Sequence, residues 1–127
     1  MKLEMSGHRY LLDTNVIVFL LRGELENAEE VVNASWLGIS IVSYLEFLSF
    51  PHLSADDIKL FGEFVEQCEV VSLDLNKLDL LNYVVNLRKR FKLKLPDAII
   101  LASAINSKAQ LLTFDKELQK KYISLNG

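Results

Sequence analysis

The sequence predicts an α/β protein, a three-layer α/β/α sandwich with a mostly parallel central sheet. Three observations predict it. Short apolar runs alternate with longer stretches whose apolar residues recur at helical spacing. The short runs read as strands buried on both faces, as in parallel sheets covered by helices. At 127 residues, half of them hydrophobic and with no Gly/Ser-rich linker, the chain has the size of one domain spanning 1–127.

The elements follow in order. Residues 10–12 (YLL) read as the first strand, and 15–22 as a helix ending at Gly23, a residue type suited to the position after a helix. Residues 25–34 form a second, acidic helix. GISIV at 38–42 is the next strand, followed by a helix over 43–50 that Pro51 stops. Ser54 with Asp56 and Asp57 opens another helix, whose Ile58, Phe61, Val65 and Cys68 share a face. Residues 69–73 read as a strand. Leu80, Val84, Leu87 and Phe91 then make the stripe of a long amphipathic helix. Pro96 falls in the first turn of the next, with Ala98, Leu101, Ala102 and Ile105 facing inward. Residues 110–114 form the last strand and 116–121 a short helix.

Composition excludes several classes. A single cysteine, Cys68, rules out an internal disulfide framework and a cysteine-based zinc cage; it reads as a small buried apolar residue. The apolar content rules out a disordered chain. No apolar run approaches the ~20 residues of a membrane-spanning helix. Asp13 and Asn15 interrupt the first apolar stretch where a signal-peptide core would have to lie, so a cytoplasmic location is expected. Met5 is a possible alternative start. The formal charge of −3 argues, at first sight, against a nucleic-acid partner.

Four acids occupy one kind of place. In such sheets the reactive crevice lies at the carboxyl ends of the strands. Asp13 directly follows the first strand, Glu46 comes four residues after the second, and Asp115 directly follows the last. Asp97 lies in the helical turn opened by Pro96. Each has a structural explanation alone. Asp13 and Asp115 suit N-caps, Asp97 complements a helix dipole, and Ser43-Tyr44-Leu45-Glu46 fits a capping box with Glu46 as its third helical residue. Gathered at one sheet edge, they repel. At ~6 Å and an effective dielectric of about 20, each pair costs ~3 kcal/mol. A few such pairs rival a domain's stability of ~5–15 kcal/mol. Such a cluster either raises its pKa values or holds a divalent cation, and oxygen ligands without His or Cys favour Mg²⁺ or Mn²⁺ over zinc.

Leu11-Leu12-Asp13-Thr14-Asn15-Val16, Glu46, Leu95-Pro96-Asp97-Ala98 and Leu112-Thr113-Phe114-Asp115 together resemble the PIN-domain ribonucleases, most closely their VapC-type toxins. The resemblance runs from Tyr10 to about Leu118 and keeps all four acids in order. It implies a PIN-like fold and a Mg²⁺- or Mn²⁺-dependent endoribonuclease that hydrolyses RNA phosphodiesters with metal-activated water. It also implies a homodimer and a protein antitoxin of a type II pair that blocks the site. Asp13 and Asp97 take the role of principal metal ligands, with Glu46 and Asp115 as supporting acids. Thr14, Asn15 and Thr113 are read as polar groups behind them.

Arg88, Lys89, Arg90, Lys92 and Lys94 precede Asp97, and Lys116 follows Asp115. They are either a solvated helix end or holders of RNA phosphates. Phe47, Phe50, Phe61, Phe64 and Phe91 read as core or dimer interface, Trp36 as packing, and His8 and His52 as lacking a relay partner. Three other readings stay open. One is a housekeeping RNA-processing nuclease of the same family. A second is a haloacid-dehalogenase-like phosphohydrolase, which wants a second Asp where this chain has Asn15. The third is a non-enzymatic interaction module. If the four acids hold an ion, setting them aside turns −3 into +1, and the net charge no longer argues against RNA.

Overall fold

A computed structural model describes residues 7–126, so Met5 and the ends of the 1–127 reading lie outside the described residues. The sheet is built from four strands, β1 (Arg9–Leu12), β2 (Trp36–Ser40), β3 (Glu69–Val71) and β4 (Gln110–Leu112), in the order β3-β2-β1-β4. Every pairing is parallel, with Leu11 opposite Gly38 on one side and Leu111 on the other.

Alternation along β1 divides the core. Leu11 and Leu111 of the sheet face a cluster with Leu80, Val84, Leu87, Ala98, Leu101, Leu118 and Tyr122, supplied by helices α5 (Leu78–Phe91), α6 (Leu95–Asn106) and α7 (Lys116–Asn126). Tyr10 and Leu12 face the other way, onto Val16, Ile17, Ile39, Phe47 and Phe61. That layer comes from α1 (Thr14–Leu21), α2 (Ala28–Val32), α3 (Ile41–Leu48) and α4 (Ala55–Glu66). The three-layer sandwich is as expected, and its sheet is parallel throughout the described residues.

Several boundaries move, each for a local reason. The second strand is Trp36–Ser40, not 38–42, because Ser40 ends it by capping α3: its hydroxyl accepts from the Ser43 N–H at 3.1 Å. Ile41 and Val42 are therefore helical, and Ser43 is not a cap. Trp36 lies over Gly38, where any Cβ would collide with the indole, and the Arg9 guanidinium stacks 4.8 Å from the ring centroid. The acidic helix shrinks to Ala28–Val32 because Asn27 takes a left-handed φ of 61° just before it. The third strand ends at Val71 and the last at Leu112, while α7 runs on to Asn126. Gly23 has the expected positive φ of 73°.

Ser54 caps α4 in a reciprocal pair with Asp57, and Phe61 on that helix is buried and stacked on Phe47 with centroids 4.0 Å apart. Cys68 is only half-buried, though burial pushes its thiol up to about 12. Among the described residues no helix is long and apolar enough to cross a membrane.

Phe61→Ala removes a ring that α4 and α3 share, and the expected loss is ~3–5 kcal/mol of stability in urea denaturation. A loss under ~1 kcal/mol would mean that the site collapses around the missing ring.

Candidate active site

The order β3-β2-β1-β4 places β1 and β4 side by side, with the chain leaving β1 toward β2 and returning on its other side at β4. This is the topological switch point of an open parallel sheet, where a crevice forms beyond the carboxyl ends. Asp13 stands there because it ends β1 and caps α1. Its Oδ1 accepts from the Thr14 N–H at 2.8 Å, and its own N–H donates to Leu112 O at 2.9 Å.

Thr113 ties this acid to the next one. Its hydroxyl donates to Asp13 Oδ2 at 2.7 Å and accepts from the Asp115 N–H at 3.0 Å. The Asp115 carboxylate turns the other way and caps α7, accepting from Glu117 N–H at 3.0 Å and Leu118 N–H at 3.1 Å. Asp13 and Asp115 are thus caps and site acids together, so the structural and the functional explanations do not compete.

For Glu46 the structural explanation fails. With α3 starting at Ile41, Glu46 lies in the second turn, where no capping box can use it. Its Oε1 instead accepts from the Thr14 hydroxyl at 2.6 Å. Behind that bond, Ser43 Oγ lies 3.0 Å from Thr14 Oγ1, and Ser40 and Ser43 are both fully buried. Neither serine was singled out in the sequence as part of the site. The Ser-x-x-Ser spacing across a strand-to-helix junction is the signal that could have found them.

Asp97, the third residue of α6, is the half-buried acid whose carboxylate accepts no hydrogen bond among the described residues. Its carboxyl is raised above the usual 3.8, first by burial and then by Asp115, Asp13 and Glu46; Lys94 opposes this. Three separate elements therefore bring their negative charge to bear on a fourth. All four acids line one open cleft of about 610 Å³, together with Thr14, Asn15, Pro96 and Phe114. Asn15 is exposed at its edge.

Among the described residues, no three His, Cys, Asp or Glu side chains stand as a ready-made ion cage. Three of the four carboxylates are instead held by their own chain, as unscreened like charges would require. The donor set still fits a hard cation: the cleft is lined by carboxylate and hydroxyl oxygens and by no His or Cys. Each carboxylate keeps lone pairs beyond its hydrogen bonds.

Among the basic residues, Arg88 and Arg90 end α5, Lys92 caps it with φ 55°, and Lys94, whose charge reaches Asp97, caps α6. All four are exposed, and among the described residues none is paired with a carboxylate. Lys116 opens α7, while Lys120 and Lys121 lie 3.6 and 3.9 Å from Glu117. One reading needs correction. His8, taken as lacking a nearby partner, lies 4.0 Å from Glu30 and stacks on Tyr10, whose hydroxyl donates to the same carboxylate at 2.7 Å.

The chain belongs to the PIN domain family, whose sequence profile matches residues 10–123. PIN domains are nucleases that generally use divalent metal ions. The chain is also similar to solved toxin–antitoxin assemblies. A chain of the toxin–antitoxin complex from Klebsiella pneumoniae is 26% identical, with a TM-score of 0.68 over 85% of this chain and 88% of that one. A chain of VapBC2 from Rickettsia felis, solved bound to a DNA fragment from its promoter, gives a TM-score of 0.70 at 20% identity. That match covers 87% of this chain and 91% of the other. No curated protein matches the chain in sequence. The resemblance carried by the DTN, PDA and TFD motifs is borne out.

The charge on Asp97 has a sign that can be tested. A carboxyl raised on folding favours the folded state below its usual 3.8, and that contribution is lost as pH rises through the elevated value. In chelator at pH 7, Asp97→Asn should melt above wild type, and the gap should close as pH falls toward ~4. An equal or lower melting temperature at pH 7 would make Asp97 an ordinary dipole-complementing residue.

Proposed function

We propose that the chain is a Mg²⁺- or Mn²⁺-dependent endoribonuclease and the toxin of a type II toxin–antitoxin pair. In this reading it is a single nuclease domain over 1–127, cytoplasmic and homodimeric, and a small protein antitoxin blocks its cleft. The observation that carries the reading is the convergence of Asp13, Glu46, Asp97 and Asp115 on one cleft. The Klebsiella and Rickettsia complexes support an antitoxin as partner.

Asp13 and Asp97 would hold the cation, with Glu46 and Asp115 as supporting acids. Bound there, a divalent ion supplies the positive charge that an anionic phosphodiester needs and acidifies a water for attack on phosphorus. The chain's own contribution is orientation. Thr113 and the Thr14 N–H each hold one oxygen of Asp13, so its carboxylate has a fixed plane. The Thr14 hydroxyl, backed by buried Ser43, fixes Glu46 in the same way. Asp97, whose carboxylate accepts no hydrogen bond among the described residues, keeps its lone pairs for a ligand. Arg88, Arg90, Lys92, Lys94 and Lys116 form an exposed basic margin that would take the flanking phosphates.

Incubation of a mixed RNA pool with Mn²⁺ should give cleavage that chelator stops and that Asp13→Asn lowers by about 10²-fold or more. Cleavage at the wild-type rate in that variant would overturn the assignment. Arg88→Ala and Lys92→Ala should each weaken RNA binding at low salt and flatten the dependence of log K on log salt by ~0.7 per lost contact. An unchanged slope would return these residues to the solvated end of a helix.

A further inference from the structure

Phe114 has a fixed place at the cleft and no task in the reading above. The residue is 50% exposed, although phenylalanine is ordinarily a buried residue. The backbone around it is pinned: the Asp115 N–H reaches back across it to the Thr113 hydroxyl, which in turn holds Asp13. Phe19 meets the ring at an interplanar angle of 63° with centroids 4.9 Å apart. At that angle Phe19 does not stack on the ring face to face, and the residue keeps its exposure beside the cleft.

Phe114 is also the residue common to two cavities. One is the acidic cleft, and the other is a space of about 420 Å³ that includes Gln110, Gln119, Glu26 and Glu30. The chemistry of the second space favours one part of a nucleotide. Glu26 brings a negative charge there and Glu30 already accepts from Tyr10 beside His8, whereas a neutral base meets an aromatic ring and amide side chains that can donate and accept.

We propose that Phe114 is the stacking platform for an unpaired nucleobase next to the phosphate taken by the acidic cleft, with the base lodged in the cavity beside Gln110 and Gln119. The proposal rests on the ribonuclease reading. The four acids can address only the sugar–phosphate chain, so Phe114 would be what makes the cleft sensitive to the base. A purine, with its larger π-face, stacks better than a pyrimidine.

Cleavage of a defined single-stranded RNA by wild type, Phe114→Leu and Phe114→Trp tests this, together with the same RNA made abasic on either side of the cleaved bond. Phe114→Leu keeps apolar bulk but loses the ring. It should raise KM about 10- to 100-fold, the size of one base–aromatic stack, with little change in kcat. Phe114→Trp should restore KM. On one of the two abasic RNAs, wild type and Phe114→Leu should become equal. Wild-type KM in Phe114→Leu, or an equal loss on both abasic RNAs, overturns the proposal and makes the ring a packing or protein contact. A wild-type enzyme that cleaves no RNA overturns the ribonuclease reading itself, and the stacking with it.

Discussion

Mutual repulsion among four carboxylates is the constraint around which this small domain is arranged. Charges of one sign at one sheet edge would pull the fold apart, and a metal-free chain must hold them with its own groups. It does so by giving three of the acids hydrogen bonds from backbone N–H groups or threonine hydroxyls. These bonds belong to the junctions where strands become helices, so holding the acids and starting the helices are a single task. Thr113 is the clearest case, because one hydroxyl serves Asp13 on β1 and the turn after β4.

The sheet order makes this arrangement possible. Since β1 lies between β2 and β4, the ends of all three strands, with the helices that follow them, border the same crevice. Asp97 reaches it differently, from the first turn of α6, and is the one of the four whose carboxylate accepts no hydrogen bond among the described residues. Burial and the charges of Asp115, Asp13 and Glu46 raise its carboxyl, and Lys94 opposes them.

Much of this was legible in the sequence, for reasons particular to certain residues. Apolar runs such as YLL mark buried parallel strands because both faces need apolar side chains, and an acid immediately after such a run has few places to be. Glu46 was harder. Its distance from the strand was right, but Ser43 imitated an N-cap, and only the observed register showed that Ser40 starts the helix three residues earlier. Sequence alone cannot choose between two serines of equal capping strength. Phe114 and the Ser40–Ser43 pair were missed because exposure and hydroxyl contacts depend on what other elements bring near. His8 went unpaired in the sequence because Glu30 is remote along the chain. The charge of −3, too, is unevenly placed, because four of the acids behind it share one cleft.

The capping pattern has one more consequence. The residues that open α1, α3, α6 and α7 are Asp13, Ser40, Lys94 and the Asp115 turn, all at the crevice edge of the sheet. Four helices therefore turn their N-termini toward it, each carrying about half a positive elementary charge. Together these dipoles offset about half of what four carboxylates bring, before any ion is present. The cleft is thus an anion-binding frame lined with acids.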